Sequence, residues 1–120
     1  MQPKVLADTP KLIRVALTGD LHSLNIGDVE KRLIELLVGH GKDAIVDMSN
    51  VPSIMSLGIG MLIKISKMVT QGGGKFVLLK PQPAVATSIQ IARLSVMLGV
   101  ALDEATAQSM LSDPARHSVE

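Results

Sequence analysis

The chain has 120 residues, a formal net charge of +1 and 47% apolar residues, which predicts one globular domain with a sizeable core. Its aromatic content is 1%, so the usual base-stacking side chains are missing and we expect no direct binding of nucleic acid. The absence of cysteine excludes disulfides, thiolate catalysis and cysteine-ligated zinc, and with no apolar leader in residues 1–10 it suits a reducing cytoplasm. Lys64 and Lys67 interrupt the one long apolar run, so we expect no membrane insertion.

The first half of the chain predicts a sequence of strand, helix and strand. Residues 1–10 are polar and form a loose arm or an edge strand, and residues 11–18 alternate between apolar and polar, as a half-buried strand does. Asn25 with Asp28 is typical of a capped helix start, and Gly39 and Gly41 end that helix. A short buried strand at residues 44–48 follows. The side chains predicted to face the core are Ile13, Val15, Leu17, Val29, Leu33, Leu36 and Leu37.

The second half continues the alternation. Residues 72–74 are three glycines that precede a strand and lack the full spacing of a phosphate-binding loop, so they indicate a helix exit. The predicted elements are a helix at 56–69, a strand at 76–79, a helix from Pro83 to Arg93 or Leu94, a strand within 96–102 and a helix capped by Asp103.

This order predicts an α/β fold in which a mixed sheet of four or five strands carries about four helices, mainly on one face. We expect an N-terminal arm or edge strand at residues 1–10, one domain at 11–112 and a C-terminal tail at 113–120.

The helix at 56–69 carries two apolar stripes, although a helix of a small domain needs only one. The stripe expected to face the core contains Ile59, Leu62, Ile63 and Ser66. The second contains Gly58, Met61, Ile65 and Met68. The second stripe predicts a docking surface for a partner or for a second copy of the chain. The alternative is a helix packed between the sheet and the third helix, since methionine is also a common gap filler.

Ser56 stands where the first turn of this helix begins, beside unpaired backbone N–H groups and the positive end of the helix dipole. A hydroxyl at this position can cap the helix, as serine often does. Esterified with phosphate, it would instead place negative charge where the helix end favours it. The residue type alone leaves both roles open.

Five short motifs carry a resemblance to a known family. They are L-T-G-D-L at residues 17–21, D-M-S-N-V at 47–51, I-M-S-L-G-I-G at 54–60, the three glycines before a strand, and P-A-V at 83–85. Over nearly the whole chain this pattern resembles the STAS domain of bacterial anti-sigma factor antagonists. Ser56 matches the serine that receives phosphate in that family, and Gly58 and Gly60 match its two glycines.

The resemblance implies a partner switch. Unphosphorylated, such a domain binds an anti-sigma factor that is a serine kinase and so frees a sigma factor; phosphorylated on the residue matching Ser56, it lets go. Four residues depart from the family pattern: Met55 and His22 stand where aspartate is usual, Leu57 replaces a second hydroxyl, and Arg93 replaces a glycine often found after the third helix. With the second apolar stripe included, the predicted partner-binding residues are Asp20, His22, Met55, Leu57, Gly58, Met61, Ile65 and Met68.

Two other classes of function stay open. One is a STAS scaffold, such as a stressosome-like or lipid-transporter subunit, in which binding surfaces matter and phosphate does not. The other is a module that binds a small ligand or nucleotide. The sequence predicts neither an enzyme nor a metal or cofactor site, because His22, His40 and His117 are scattered and no set of nucleophile, base and orienting group is evident.

Overall fold

The computed structural model of the protein describes residues 3–22, 24–91 and 98–112. Strands and helices alternate along the chain after an initial strand pair, as predicted. The elements are β1 (Lys4–Asp8), β2 (Leu12–Thr18), α1 (Ile26–Leu37), β3 (Asp43–Asn50), α2 (Ser56–Gln71), β4 (Phe76–Leu79), α3 (Pro83–Ile91), β5 (Gly99–Ala101) and α4 (Glu104–Ser112). Among these residues no helix is both long and apolar enough to cross a bilayer.

The strands form one mixed sheet in the order β1-β2-β3-β4-β5. Strand β1 pairs with β2 antiparallel, and β2, β3, β4 and β5 pair in parallel. Because the parallel strands all point the same way, the connections that follow β2, β3, β4 and β5 lie at the same edge of the sheet. That edge contains the residues that the sequence singles out around Ser56.

The two faces of the sheet bury separate apolar clusters. Alternation along β2 directs Ile13, Val15 and Leu17 to the face covered by α1, α2 and α3, and all three side chains are buried there. The opposite face packs against α4 through a smaller cluster that includes Ile45, Val77, Leu79, Ala101 and Ala107. Strand β4 is buried on both faces, as its continuous apolar run predicts. Three helices on one face and one on the other confirm the predicted arrangement.

The structure refines several predicted boundaries. Strand β3 is longer than the predicted 44–48, and α2 continues to Gln71, where Gly72 N–H donates to carbonyls of the last helical turn. The three glycines are therefore the helix exit that was predicted. Asp103 Oδ1 accepts a hydrogen bond from Thr106 N–H at 2.7 Å, which confirms the predicted cap of α4. The predicted end of α3 at Arg93 or Leu94 and the predicted tail at 113–120 lie outside the described residues.

The prediction that the second apolar stripe of α2 forms an exposed docking surface is wrong. Met61 and Ile65 are 3% and 0% exposed and belong to the main core cluster, and Met68 is half-buried. Two apolar stripes are needed because α2 packs against the sheet on one side and against α1 on the other. The alternative prediction, in which α2 packs between the sheet and another helix, agrees with the structure. That helix is α1, whereas the third helix was predicted.

We expect Ile65→Asp to unfold the protein, because the substitution buries an unpaired carboxylate in a close-packed core. The cost should exceed about 4 kcal/mol, at the upper end of what single substitutions cause. Far-UV circular dichroism measures the loss of structure, with Lys67→Asp at an exposed position of the same helix as the control. A folded Ile65→Asp variant would contradict the packing of α2.

An ion pair between Arg14 and Glu104 joins α4 to the sheet. Arg14 on β2 donates from Nη1 and Nη2 to the two carboxylate oxygens of Glu104 at 2.7 and 2.5 Å. The Arg14 hydrogen bonds, with a further one from Gln108, lower the pKa of Glu104 to about 2 from its ordinary 4.5. The Glu104 side chain is 46% exposed, so solvent screens much of this interaction.

The lowered pKa of Glu104 determines how the contribution of this ion pair to stability changes with pH. A carboxyl group whose pKa is lower in the folded state contributes stability above its unfolded value of 4.5 and loses it as the pH falls towards about 2. We expect Glu104→Gln to be less stable than the unsubstituted protein by about 0.5–1 kcal/mol at neutral pH. That difference should disappear at the acid end of this range. Urea unfolding followed by circular dichroism measures both values, and Glu35→Gln on the exposed side of α1 is the control. A difference that persists in acid would show that packing, and not charge, fastens α4.

Candidate functional site

Two chain connections at the carboxyl edge of the sheet are joined by backbone hydrogen bonds. Gly19 N–H donates to Asn50 O at 2.8 Å, and Leu21 N–H donates to Ser53 O at 3.1 Å. Met55 N–H in turn donates to Leu21 O at 3.1 Å. The parallel pairing of β2 with β3 thus continues past the strands, and it fixes the β3–α2 turn against the β2–α1 loop.

Polar side chains hold the β2–α1 loop in shape. Ser53 Oγ donates to Asp20 Oδ1 at 2.8 Å, and Asn25 Nδ2 donates to the Asp20 carbonyl at 2.8 Å. Asn25 Oδ1 accepts from His22 N–H at 3.0 Å. Asn25 occupies the position before α1, as predicted, but its side chain makes no capping bond to the helix because both ends of its amide are used by the loop.

Gly58 sets how closely α2 approaches this loop. A Cβ atom at Gly58 would lie 2.8 Å from Ile54 Cγ1 and 3.4 Å from Leu21 Cβ. A side chain at this position would therefore displace Ile54 or move the first turn of α2 away from it, while its contact with Leu21 on the β2–α1 loop would be an ordinary one. Close packing against Ile54 therefore explains why this position is glycine, which the motif alone does not explain.

Ser56 is the first residue of α2 and is exposed. The residue before the helix is Met55, which has no capping side chain, so of the two roles left open for Ser56 the capping role does not hold. Its hydroxyl forms no hydrogen bond within the part of the chain that the structure describes. The same holds for the backbone N–H groups of Ser56 and Leu57, whereas Gly58 N–H and Ile59 N–H donate to Met55 O. The hydroxyl and two donors of the helix start thus face solvent.

Exposed apolar side chains lie on both segments of the site. Met55 and Leu57, on either side of Ser56 in the chain, are 42% and 60% exposed, and Leu24 on the β2–α1 loop is 88% exposed. The first turn of α2 contains no acidic residue. The helix start around the serine is therefore mainly apolar, whereas the exposed carboxylate of Asp20 lies on the adjoining loop. Exposed apolar surface of this kind is typical of an interaction site.

The structure brings most of the predicted site residues to one edge of the sheet and separates the rest. Ile65 and Met68 lie further along α2, in or beside the core, whereas Met61 reaches the surface only at the bottom of a groove. The residues that lie together are Asp20, His22, Met55, Ser56, Leu57 and Gly58.

Sequence reasoning missed three residues of this region: Leu24, Ser53 and Ile54. Ser53 and Ile54 sit inside the motif region but gain their roles only through the neighbouring loop. For Leu24, the signal that could have been used is a single leucine within a polar loop. No group of three or more potential metal ligands occurs among the described residues.

Comparison with known proteins gives a consistent result. A family model described as the STAS domain matches residues 4–107. No curated protein is a sequence match to this chain.

Several solved structures share the fold. A candidate anti-sigma factor antagonist from Thermotoga maritima superposes with a TM-score of 0.82 at 18% identity, covering 92% of this chain and 95% of that one. An anti-sigma factor antagonist from Mycobacterium paratuberculosis gives 0.80 at 17% identity, with 92% and 93% coverage. The phosphorylated form of SpoIIAA, a cell fate determinant of Bacillus, gives 0.65 at 16% identity, with 90% and 98% coverage. At these identities the likeness shows the fold alone.

Two alanine substitutions in α2 should have opposite effects. Gly60→Ala should stabilise the protein by about 0.5–1 kcal/mol, because a Cβ there meets nothing within 4 Å and alanine is the better helix former. Gly58→Ala gains the same helix propensity but must overpack against Ile54, which costs about 1–3 kcal/mol. Chemical denaturation of both variants measures the difference. Equal stabilities would show that Gly58 does not set the position of the helix start.

Proposed function

Because the chain belongs to the STAS domain family, we propose that it is an anti-sigma factor antagonist, a non-catalytic regulator that switches partners when Ser56 is phosphorylated. Its partner in this proposal is an anti-sigma factor that is also a serine kinase. The chain acts in the cytoplasm, where it binds this partner and so frees a sigma factor for transcription.

The observation that carries the proposal is the exposed Ser56 hydroxyl, unpartnered among the described residues, at the first turn of α2. A kinase can reach this oxygen without unfolding the domain. A phosphate on it would lie beside the free N–H groups of Ser56 and Leu57 and at the positive end of the helix dipole. The modified domain therefore stays folded.

Release follows from the apolar surroundings of the serine. A partner that covers Met55, Leu57 and Leu24 removes water from Ser56 as well. Phosphate adds about −1.5 to −2 charges at neutral pH, and burying that charge without a cationic partner is strongly unfavourable. Phosphorylation thus lowers affinity by local charge and desolvation, with no refolding of the domain.

A second candidate function is a STAS scaffold or transporter subunit that is not regulated by phosphate. The observation that favours it is the absence of carboxylates at two positions near Ser56. Met55 and His22 stand where the family usually has aspartate, and the first turn of α2 has no acidic residue. In that role the same exposed surface would bind another subunit or a second copy of the chain.

Phosphorylation by a purified anti-sigma factor serine kinase from the genome that encodes this chain separates the two functions. With ATP present, we expect mass spectrometry to find one phosphate on Ser56, none on Ser56→Ala, and normal labelling of Ser53→Ala, whose hydroxyl is already bonded to Asp20. We expect Ser56→Ala to bind the kinase as tightly as the unsubstituted chain and Ser56→Asp to bind roughly tenfold more weakly or worse.

Circular dichroism on each variant confirms that it is folded. An unmodified Ser56, or Ser56→Asp binding as tightly as the unsubstituted chain, would discard the phosphorylation switch and leave the scaffold.

A further inference from the structure

A groove of about 540 Å³ runs between α1 and α2, with Ser56 at its rim. Because Ser56 and the exposed Leu57 line it, the groove is continuous with the surface proposed above as the partner-binding site. Residues that line it are Ile26, Gly27, Glu30, Ser56, Leu57, Gly60, Met61 and Lys64.

Two glycines form part of the groove wall, one from each helix. A Cβ atom at Gly27 or at Gly60 would meet nothing within 4 Å, in contrast to Gly58, where it would collide with Ile54. Glycine within a helix is less stable than alanine, so an unneeded glycine weakens the fold. Among the described residues, packing explains Gly58 but not Gly60. The open space at Gly60 is available to a side chain of another molecule.

The groove contains one acidic and one basic side chain, which form an ion pair. Among the described residues that line it, Glu30 on α1 and Lys64 on α2 are the charged ones, and Lys64 Nζ donates to Glu30 Oε2 at 2.8 Å. The ion pair bridges the two helices, and its opposite charges sum to zero. The other lining side chains of appreciable size are Ile26, Leu57 and Met61, all apolar. An uncharged, apolar occupant complements such a site.

We propose that the α1–α2 groove receives an apolar ridge of the anti-sigma factor kinase, with bulky aliphatic or aromatic side chains seated over Gly27 and Gly60. This inference rests on the proposed function and specifies how the partner is recognised. Contact area and shape, not charge pairs, supply the affinity, so the complex of the unphosphorylated chain is insensitive to salt. The family's missing aspartates at Met55 and His22 agree with such recognition.

Filling the groove tests the proposal. Gly60→Leu places a side chain in the groove on a helix position where a Cβ has room, so the domain should stay folded and be at least as stable. Its affinity for the purified anti-sigma factor serine kinase, measured by isothermal titration calorimetry, should fall roughly tenfold or more. Gln71→Leu adds the same side chain at an exposed position near the far end of α2 and should bind as the unsubstituted chain does.

A second variant and a salt series make the test decisive. Gly27→Leu fills the groove from α1 and should weaken binding in the same way. Raising the salt concentration about tenfold should change the affinity of the unsubstituted chain less than about threefold, because few charge pairs are screened.

The outcomes separate this inference from the proposed function. If the kinase binds and phosphorylates Ser56 but Gly60→Leu and Gly27→Leu bind normally, or if salt abolishes binding, the groove inference is overturned and the partner switch stands. If no anti-sigma factor kinase of that genome binds the unsubstituted chain, both are overturned.

Discussion

The site depends on the backbone pairing that joins the β2–α1 loop to the β3–α2 turn. Leu21 exchanges hydrogen bonds with Ser53 and Met55, and the missing side chain of Gly58 allows α2 to begin directly against that pair. Parallel strands end at a common edge, so two loops that are far apart in sequence can be bonded here without a specialised element. The exposure of Ser56 follows from this arrangement, because backbone bonds and the Ser53–Asp20 hydrogen bond hold the turn without using the Ser56 hydroxyl.

The two faces of the sheet have different roles. The face under α1 and α2 positions the groove and the serine, whereas α4 on the other face is fastened by Arg14 and Glu104. No residue of the candidate site takes part in that ion pair. A change that loosens α4 should therefore alter stability without altering the surface around Ser56, and the two properties can vary separately.

The proposed phosphate on Ser56 would add its charge beside a mainly apolar helix start. Met55 and Leu57 are exposed on either side of the serine, and the Glu30 and Lys64 charges in the groove are paired with each other. In the proposed switch, a single modification would therefore change the charge of this part of the surface. Where the family usually carries aspartates, the difference between the two states would be smaller, since some negative charge would already be present.

The sequence alone determined the order of elements, the buried strand at 76–79, the faces of β2 and the motif that identifies the family. These follow from local rules, namely the periods of strands and helices and the turn residues between them. Periodicity also found both apolar stripes of α2. It could not say which neighbour covers the second stripe, so Met61 and Ile65 were predicted at the surface and lie in the core.

Only the tertiary structure decided what depends on contacts between distant segments. Residue type predicted Asn25 as a helix cap and left capping as one of two roles for Ser56, but the Asn25 amide bonds to the loop at Asp20 and His22, and the residue before α2 is Met55. Gly58 and Gly60 look equivalent in the motif. The fold distinguishes them, because Ile54 fills the space beside Gly58 and no described residue fills the space beside Gly60. A residue's type fixes which bonds it can make, and the packing of neighbouring segments decides which of them it does make.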